Sequence, residues 1–446
     1  MSGNEIGFPP TNYIIAGEKI KQGKEIRLIR HLPMPEKSFL RHSSYQNKET
    51  CQIFDVVERP NEVEDIIPYY NEADTLTVMA KHGYPRPLAN VHTDSPVPDG
   101  KKYSGYIPEG LTISKNNTLE NELAGRFGID NNQYAKPEQA LSYYTSPGGI
   151  NERVTSYFIR LNSMESHFRK GSSFITPNSI RQKFSQENAH SGFKDNGSIH
   201  LYDAAQLLNT AQTGALVEAR LELNIYRLFS KLGFSLPQWL GETIEIEELE
   251  IDRISSIQDI LNTEKTAFTP CDEKADFLCT QRACFAETDM KDSRVILEYV
   301  YPNKLSSNTL VALPVCKYRD EIYVGLELRD LPVPQLFSGN SSLLTVPAKR
   351  LPKNVGSMFD MTNFLSQMII EGISVKRYFK LGEKYFPSIG ITTEQVYPYV
   401  IQPDKPSEKL HWLKLSELTD NMNNIEDAHL LICLARLRHA LSGLYL

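Results

Sequence analysis

The sequence predicts an α+β chain built as two similar halves. Three observations carry this. The stretch Ser142-Tyr-Tyr-Thr-Ser-Pro-Gly-Gly-Ile-Asn-Glu-Arg-Val-Thr-Ser-Tyr-Phe-Ile-Arg160 reads as strand, tight turn, strand. The phrase returns as Tyr385-Phe-Pro-Ser-Ile-Gly-Ile-Thr-Thr-Glu-Gln-Val-Tyr-Pro-Tyr-Val-Ile401. Ser146 then matches Ser388, Gly148 matches Gly390, Glu152 matches Glu394 and Val154 matches Val396, without a gap. A chain of 446 residues is also too long for one ordinary core. A repeat at this spacing reads as a duplicated domain, not a solenoid unit.

The turn in the organising stretch has a physical cause. Pro147 presets φ, and Gly148-Gly149 admits φ above zero. Val154 to Ile159 is β-branched and aromatic, which suits a strand. The first fifty residues read as a polar extension with short strands at Asn12–Ile15 and Glu25–Ile29. Cys51–Val57 and Thr75–Ala80 read as further strands, and Gly105–Leu111 as a short strand ending in a turn. Thr118 to Gly128 reads as a helix, with Thr118 as cap, Leu119, Leu123 and Phe127 on one face, and Gly128 as its stop.

Residues 163–197 are polar and read as an inserted loop. Asp203 to Phe234 reads as one amphipathic helical region ended by Gly233 and Pro237. Glu242 to Asp252 is acidic, either a solvated linker or a partner-binding segment. The expected domains are 1–240, a linker or extension at 241–294, and 295–446. In the last of these, Leu310–Val315 and Glu321–Leu326 read as a hairpin, and Leu343–Ala348 as a short strand. Asn363–Ile370 reads as a helix before Gly372; Trp412–Leu418 and a helix over Ile425–Leu441 close the chain.

Composition is that of a soluble globular protein, 40% hydrophobic and 23% charged. A net charge of −7 gives no overall pull toward nucleic acid or an anionic membrane. No apolar run approaches a membrane span and Met1–Pro10 lacks a signal-peptide core, so a cytoplasmic protein is expected. The six cysteines form no C-x-x-C pair and read as reduced thiols. His82, His92, His190 and His200 lack metal-ligand spacing, and Ser146 has no local His/Asp constellation.

Strand, Pro-x-Gly turn, short helix ending in Gly, then a Ser-Pro-Gly-x-x-x-Glu loop resembles the Nudix hydrolases, in particular the ADP-ribose pyrophosphatase type. Phe54-Asp-Val-Val-Glu-Arg-Pro60, Leu326-Glu-Leu-Arg-Asp-Leu-Pro-Val333, Gly214–Arg220 and Asn424–His429 are similar to other parts of that pattern. The resemblance covers roughly residues 50–235 and 295–445. It implies two α/β/α sandwiches with mixed β-sheets, packed as an intramolecular pseudo-dimer or as a homodimer. It also implies a nucleotide-type ligand, and Mg²⁺ or Mn²⁺ held by carboxylates.

Aligning Gly128 with the family's helix-ending glycine places Glu122 on the first helix glutamate and Asn121 on the arginine. Gly125-Arg126 then stands where the family has Glu-Glu. Glu122 and Glu120 are the metal-ligand candidates, with Glu122 and Glu152 as the catalytic carboxylates. The ligand-contact candidates are Arg126, Ser146, Gly148, Glu109, Arg329 and Glu394, and the Glu109 carbonyl is placed to face a metal. Arg126 admits two readings. It is an i,i+4 partner of Glu122, or a guanidinium standing in for the metal.

In the second copy Ser366, Gln367, Ile369 and Ile370 stand where carboxylates belong, Glu371 is off register, and Lys349 replaces the turn glycine after Pro347-Ala348. Three functions stay open. One is an active metal-dependent nucleotide-sugar pyrophosphatase. The second is a protein binding an ADP-ribose-like nucleoside diphosphate with weak or absent hydrolysis in the N-terminal domain. The third is an inactive tandem sensor or scaffold.

Overall fold

The structure is a computed structural model. It describes residues 14–16, 26–60, 62–82, 86–91, 96–103, 107–114, 118–127, 129–162, 173–175, 198–214, 218–287, 294–368 and 373–442. Mixed α+β architecture is what it shows, and two seven-stranded sheets carry it. The centre of the first is the hairpin Val63–Glu72 and Thr75–His82. Arg153–Arg160 runs parallel to Val63–Glu72, with Val154 opposite Val63. Glu138–Tyr144 pairs antiparallel with Arg153–Arg160, Leu111–Ser114 with Val63–Glu72, and Ser198–Asp203 with Thr75–His82.

The second sheet repeats this pattern strand by strand. Its hairpin is Asn308–Tyr318 and Glu321–Asp330. The two-residue turn between them holds Arg319 and Asp320 at positive φ, as a tight hairpin turn requires. Gln395–Pro403 runs parallel to Asn308–Tyr318, with Val396 opposite Thr309. Val375–Lys380, Ala348–Arg350 and His411–Lys414 take the three antiparallel places. Val63 and Thr309 are therefore equivalent positions, as are Asp65 and Val311.

Each sheet hands over to two helices. In the first half, Ala204–Thr213 is capped by the Asp203 carboxylate, which accepts from the N–H groups of Ala205 and Gln206. Gly214 ends it at φ 89°. Ala219–Leu232 then starts on Glu218, whose carboxylate accepts from Leu221, and stops at Gly233 at φ 70°. Two helices thus replace the single region expected over Asp203–Phe234, because Gly214 takes the left-handed conformation that a helix cannot continue. In the second half Leu415–Asp420 and Ala428–Ser442 stand in these places. Ala428–Ser442 is buried on nearly all faces. One apolar core joins the halves: it includes Ile67, Leu207 and Ile225 from the first and Leu313, Val400 and Leu434 from the second.

The segment 241–294 is no tether. Phe268–Cys271 pairs with Arg41–Asn47, and Leu278–Glu287 pairs with Ile26–Leu32. The N-terminal extension and the segment ahead of the second half thus exchange strands. Asp55 locks the exchange, its carboxylate accepting from the N–H groups of Ala275, Phe277 and Leu278 at 3.0, 2.7 and 3.0 Å. The acidic run lies on the second half: Glu247 pairs with Lys376 and Arg377, and Ile244 and Ile251 are buried.

Other elements shift modestly. The first helix spans Leu119–Phe127 and its second-half counterpart Met358–Met368. The central strand Val63–Glu72 is not legible in the sequence, because Asp65 and Pro68 mask its apolar pattern. Most of the inserted loop 163–197, and Gly128 and residues 369–372, lie outside the described residues. No helix among the described residues is long and apolar enough to cross a membrane.

Candidate ligand-binding site

The two Ser-x-Gly loops face each other's half. Ser146 Oγ donates to Glu394 Oε2 at 3.0 Å, and Ser388 Oγ donates to Glu152 Oε2 at 2.7 Å. Since Ser146 matches Ser388 and Glu152 matches Glu394, the contact is reciprocal, as at a two-fold interface. Backbone bridges repeat the relation: Tyr144 pairs with Asp427, and Phe386 with Glu218. Each half's site is thus closed by the other half's loop.

In the first half the carboxylates are consumed by the protein's own cations. Glu109 is fully buried and forks with Arg86 at 2.7 and 2.5 Å, with Lys81 at 3.6 Å. Its carbonyl accepts from the Lys81 N–H. Glu152 accepts from Arg59 at 2.6 Å and from Thr145 at 2.9 Å. Burial pushes both carboxyls up, but the guanidinium groups outweigh it, Arg86 at Glu109 and Arg59 at Glu152, and hold both below the ordinary value. Arg220 pairs with Glu218 at 2.8 Å and lies 3.6 Å from Asp65. Burial raises the Asp65 carboxyl to about 6 despite Arg220.

The second half holds a cavity of about 800 Å³. Its walls come from the whole chain: Ser146, Gly148 and Phe54 from the first half, Phe277 from the exchanged segment, and Arg329, Lys349, Arg350, Glu394 and His429 from the second half. Glu394 accepts from Thr309 at 2.6 Å and lies 3.2 Å from Arg350. Burial opposes its ionisation, and Arg350 with His429 overcomes this, keeping the carboxyl below the ordinary value.

Strand register explains why the halves differ. Ser114 lies opposite Val63, and Arg350 lies opposite Thr309, so Arg350 stands at the place of Ser114 and Lys349 at that of Ile113. Glu109 bridges Lys81, and Thr345 pairs with Glu327, so Thr345 stands at the place of Glu109. Lys349 is therefore a strand residue opposite Leu310, and not a replacement for the turn glycine, as its position after Pro347-Ala348 implies. The acid that holds Arg86 has no counterpart at Thr345; Lys349 and Arg350 are cations at two of these places, while Glu327 stands at the place of Lys81.

A built Cβ shows the same contrast. At Gly390, facing the first-half site, it would meet Arg86 Nη1 at 3.2 Å; at Gly148, facing the cavity, it meets nothing within 4 Å.

Of the sequence-derived candidates, Ser146, Gly148, Arg329 and Glu394 meet at this cavity. Glu109 and Glu152 sit in the first-half ion pairs instead, and Glu120 is exposed. The side chains of Glu122 and Arg126 lie outside the described residues. Sequence reasoning passed over Arg59, Arg86, Arg350 and His429. Only the adjacent pair Lys349-Arg350 offered a local signal. Among the described residues no three His, Cys, Asp or Glu side chains are grouped to hold a metal ion. The paired carboxylates described above do not fit one.

No family's sequence profile matches this chain, and no curated protein sequence matches it. Among solved structures, one described as an ADP compounds hydrolase matches 45% of this chain and 98% of its own, at 12% identity and a TM-score of 0.28. The likeness is distant, at a score too low to argue from.

Proposed function

We propose that this protein binds a nucleotide-type diphosphate, of the ADP-ribose kind, in the second-half cavity, with protein cations in place of a metal. One observation carries the reading. At register-equivalent positions the first half has Glu109, Ile113 and Ser114, whereas the cavity has Thr345, Lys349 and Arg350. The first site closes on its own ion pairs; the second places Arg329, Lys349 and Arg350 on the wall of an open volume, with Arg350 also against Glu394. Guanidinium and ammonium groups suit phosphate oxygens, and phosphate recognition by them requires no activated water. The halves would descend from a duplicated domain, one copy closing on its own ion pairs and the other opening.

Catalysis is a weaker fit. Phosphoanhydride hydrolysis by metal needs free carboxylates to hold the ion, and Glu109, Glu152 and Glu394 are each engaged by cations. Titration calorimetry with ADP-ribose, with and without EDTA, tests the reading beside an assay for AMP release. Binding that survives EDTA, with no AMP release, is expected. Binding that appears only with Mg²⁺ or Mn²⁺, accompanied by AMP, would instead place function in metal-dependent hydrolysis.

A further inference from the structure

Each half carries a basic side chain at the second residue of its last long helix. In the first half this is Arg220, two residues after Glu218; in the second it is His429, two residues after Asp427. The bridges Glu218–Phe386 and Asp427–Tyr144 make these positions equivalent. A tyrosine accompanies each: Tyr143 beside Arg220, and Tyr385, whose Oη lies 2.9 Å from His429 Nδ1. What differs is the acid. Asp65 faces Arg220, and its register equivalent Val311 carries no charge. Arg220 is thus spent on Asp65 and Glu218, while His429 lines the cavity.

We propose that His429 is an anion contact of this cavity, so that uptake of the diphosphate is coupled to uptake of a proton. The proposal rests on the anion-site reading above. With Nδ1 held by Tyr385, the other ring nitrogen is the one that serves the ligand. Imidazole is the side chain that ordinarily changes charge between pH 5 and 8, and an imidazolium N–H makes a charge-assisted bond to a phosphate oxygen. Around it stand Asp427, which accepts the His429 backbone N–H at 3.1 Å, then Glu394, Tyr385 and Arg350, with Arg329, Lys349 and Asp55 elsewhere on the cavity wall. Burial also raises the Asp427 carboxyl. Its proton is the competing source of pH dependence.

ADP-ribose is the suitable probe, because its doubly substituted diphosphate does not titrate in this window. Its affinity is measured by calorimetry in EDTA from pH 5.5 to pH 8. The native protein is expected to bind about tenfold more tightly at the acid end, the scale of one charge-assisted hydrogen bond. His429→Gln should flatten the profile at the weak level. His429→Arg, which restores the first half's permanent charge, should flatten it at the tight level. Asp427→Asn should keep the slope. A slope that persists in His429→Gln, or vanishes in Asp427→Asn alone, overturns the proposal. So does a native protein that binds with no slope. Absence of ADP-ribose binding at every pH removes the anion-site reading and the proposal together.

Discussion

The Ser146 hydroxyl of the first half donates a hydrogen bond to Glu394 of the second at 3.0 Å, and this bond has a mirror in Ser388 and Glu152 at 2.7 Å. Both acceptors are buried carboxylates. Removing either hydroxyl leaves a buried oxygen short of a donor. Ser146→Ala and Ser388→Ala should each lower unfolding free energy by about 1–3 kcal/mol. Urea denaturation measures this, and a loss below about 0.3 kcal/mol in both would mean that the exchange of loops contributes nothing to holding the halves.

A second inter-half contact is ionic. Arg436 forks Glu222 through two bonds of 2.7 Å and gives its remaining nitrogen to the carbonyls of Leu381 and Glu383. Both side chains are inaccessible. Arg436→Met strands a buried carboxylate and should cost about 3–5 kcal/mol, whereas Glu222→Met with Arg436→Met should recover much of it. Thermal melts of the single and double variants decide the point. A double variant no better than the single would show that the carbonyl contacts, not the ion pair, carry the energy.

Asp65 sets a pH dependence. Burial raises its carboxyl from 3.8 to about 6, so the folded chain holds this proton more tightly than the unfolded chain. The stability that the proton contributes is complete below pH 3.8 and is lost as pH rises through about 6. Its Oδ2 is buried with no hydrogen-bond partner among the described residues, consistent with a group that resists ionisation. Relative to the native protein, Asp65→Asn should gain stability between pH 4 and pH 7. A constant difference in melting temperature across that range would show that Asp65 is ionised throughout.

Arg329 lines the cavity and is exposed on its strand. Arg329→Ala should weaken ADP-ribose binding about tenfold or more and leave stability within about 0.5 kcal/mol, as for a surface change. Calorimetry and a melt on the same sample check both. Unchanged affinity would exclude the guanidinium from the ligand contact.

The repeated loop was legible because turn chemistry and strand propensity act locally. Ser146 to Val154 and Ser388 to Val396 align without a gap, and their partners Val63 and Thr309 fall in matching register. What escaped was long-range. Phe268–Cys271 meets Arg41–Asn47 across about half the chain, and no periodicity in either announces the partner. Arg86 and Glu109 lie 23 residues apart, with the short helix Pro87–Asn90 and the strand Lys101–Tyr103 between them, so their fork could not be read from spacing. Lys349 was misplaced because a Pro-x-Gly phrase marks a turn but does not fix strand register; the ladder with Leu310 does. His429 entered the sequence reading only as the end of Asn424–His429, and its equivalence with Arg220 rests on the bridges Glu218–Phe386 and Tyr144–Asp427.

The account stands on a ligand held in the second half and covered by the first-half loop. Amide hydrogen exchange with and without ADP-ribose, in EDTA, reports this directly. Protection is predicted at residues 146–150, 329–331 and 345–350, with 109–114 unchanged. Protection confined to 109–114, or none at 345–350 under saturating ligand, would contradict it.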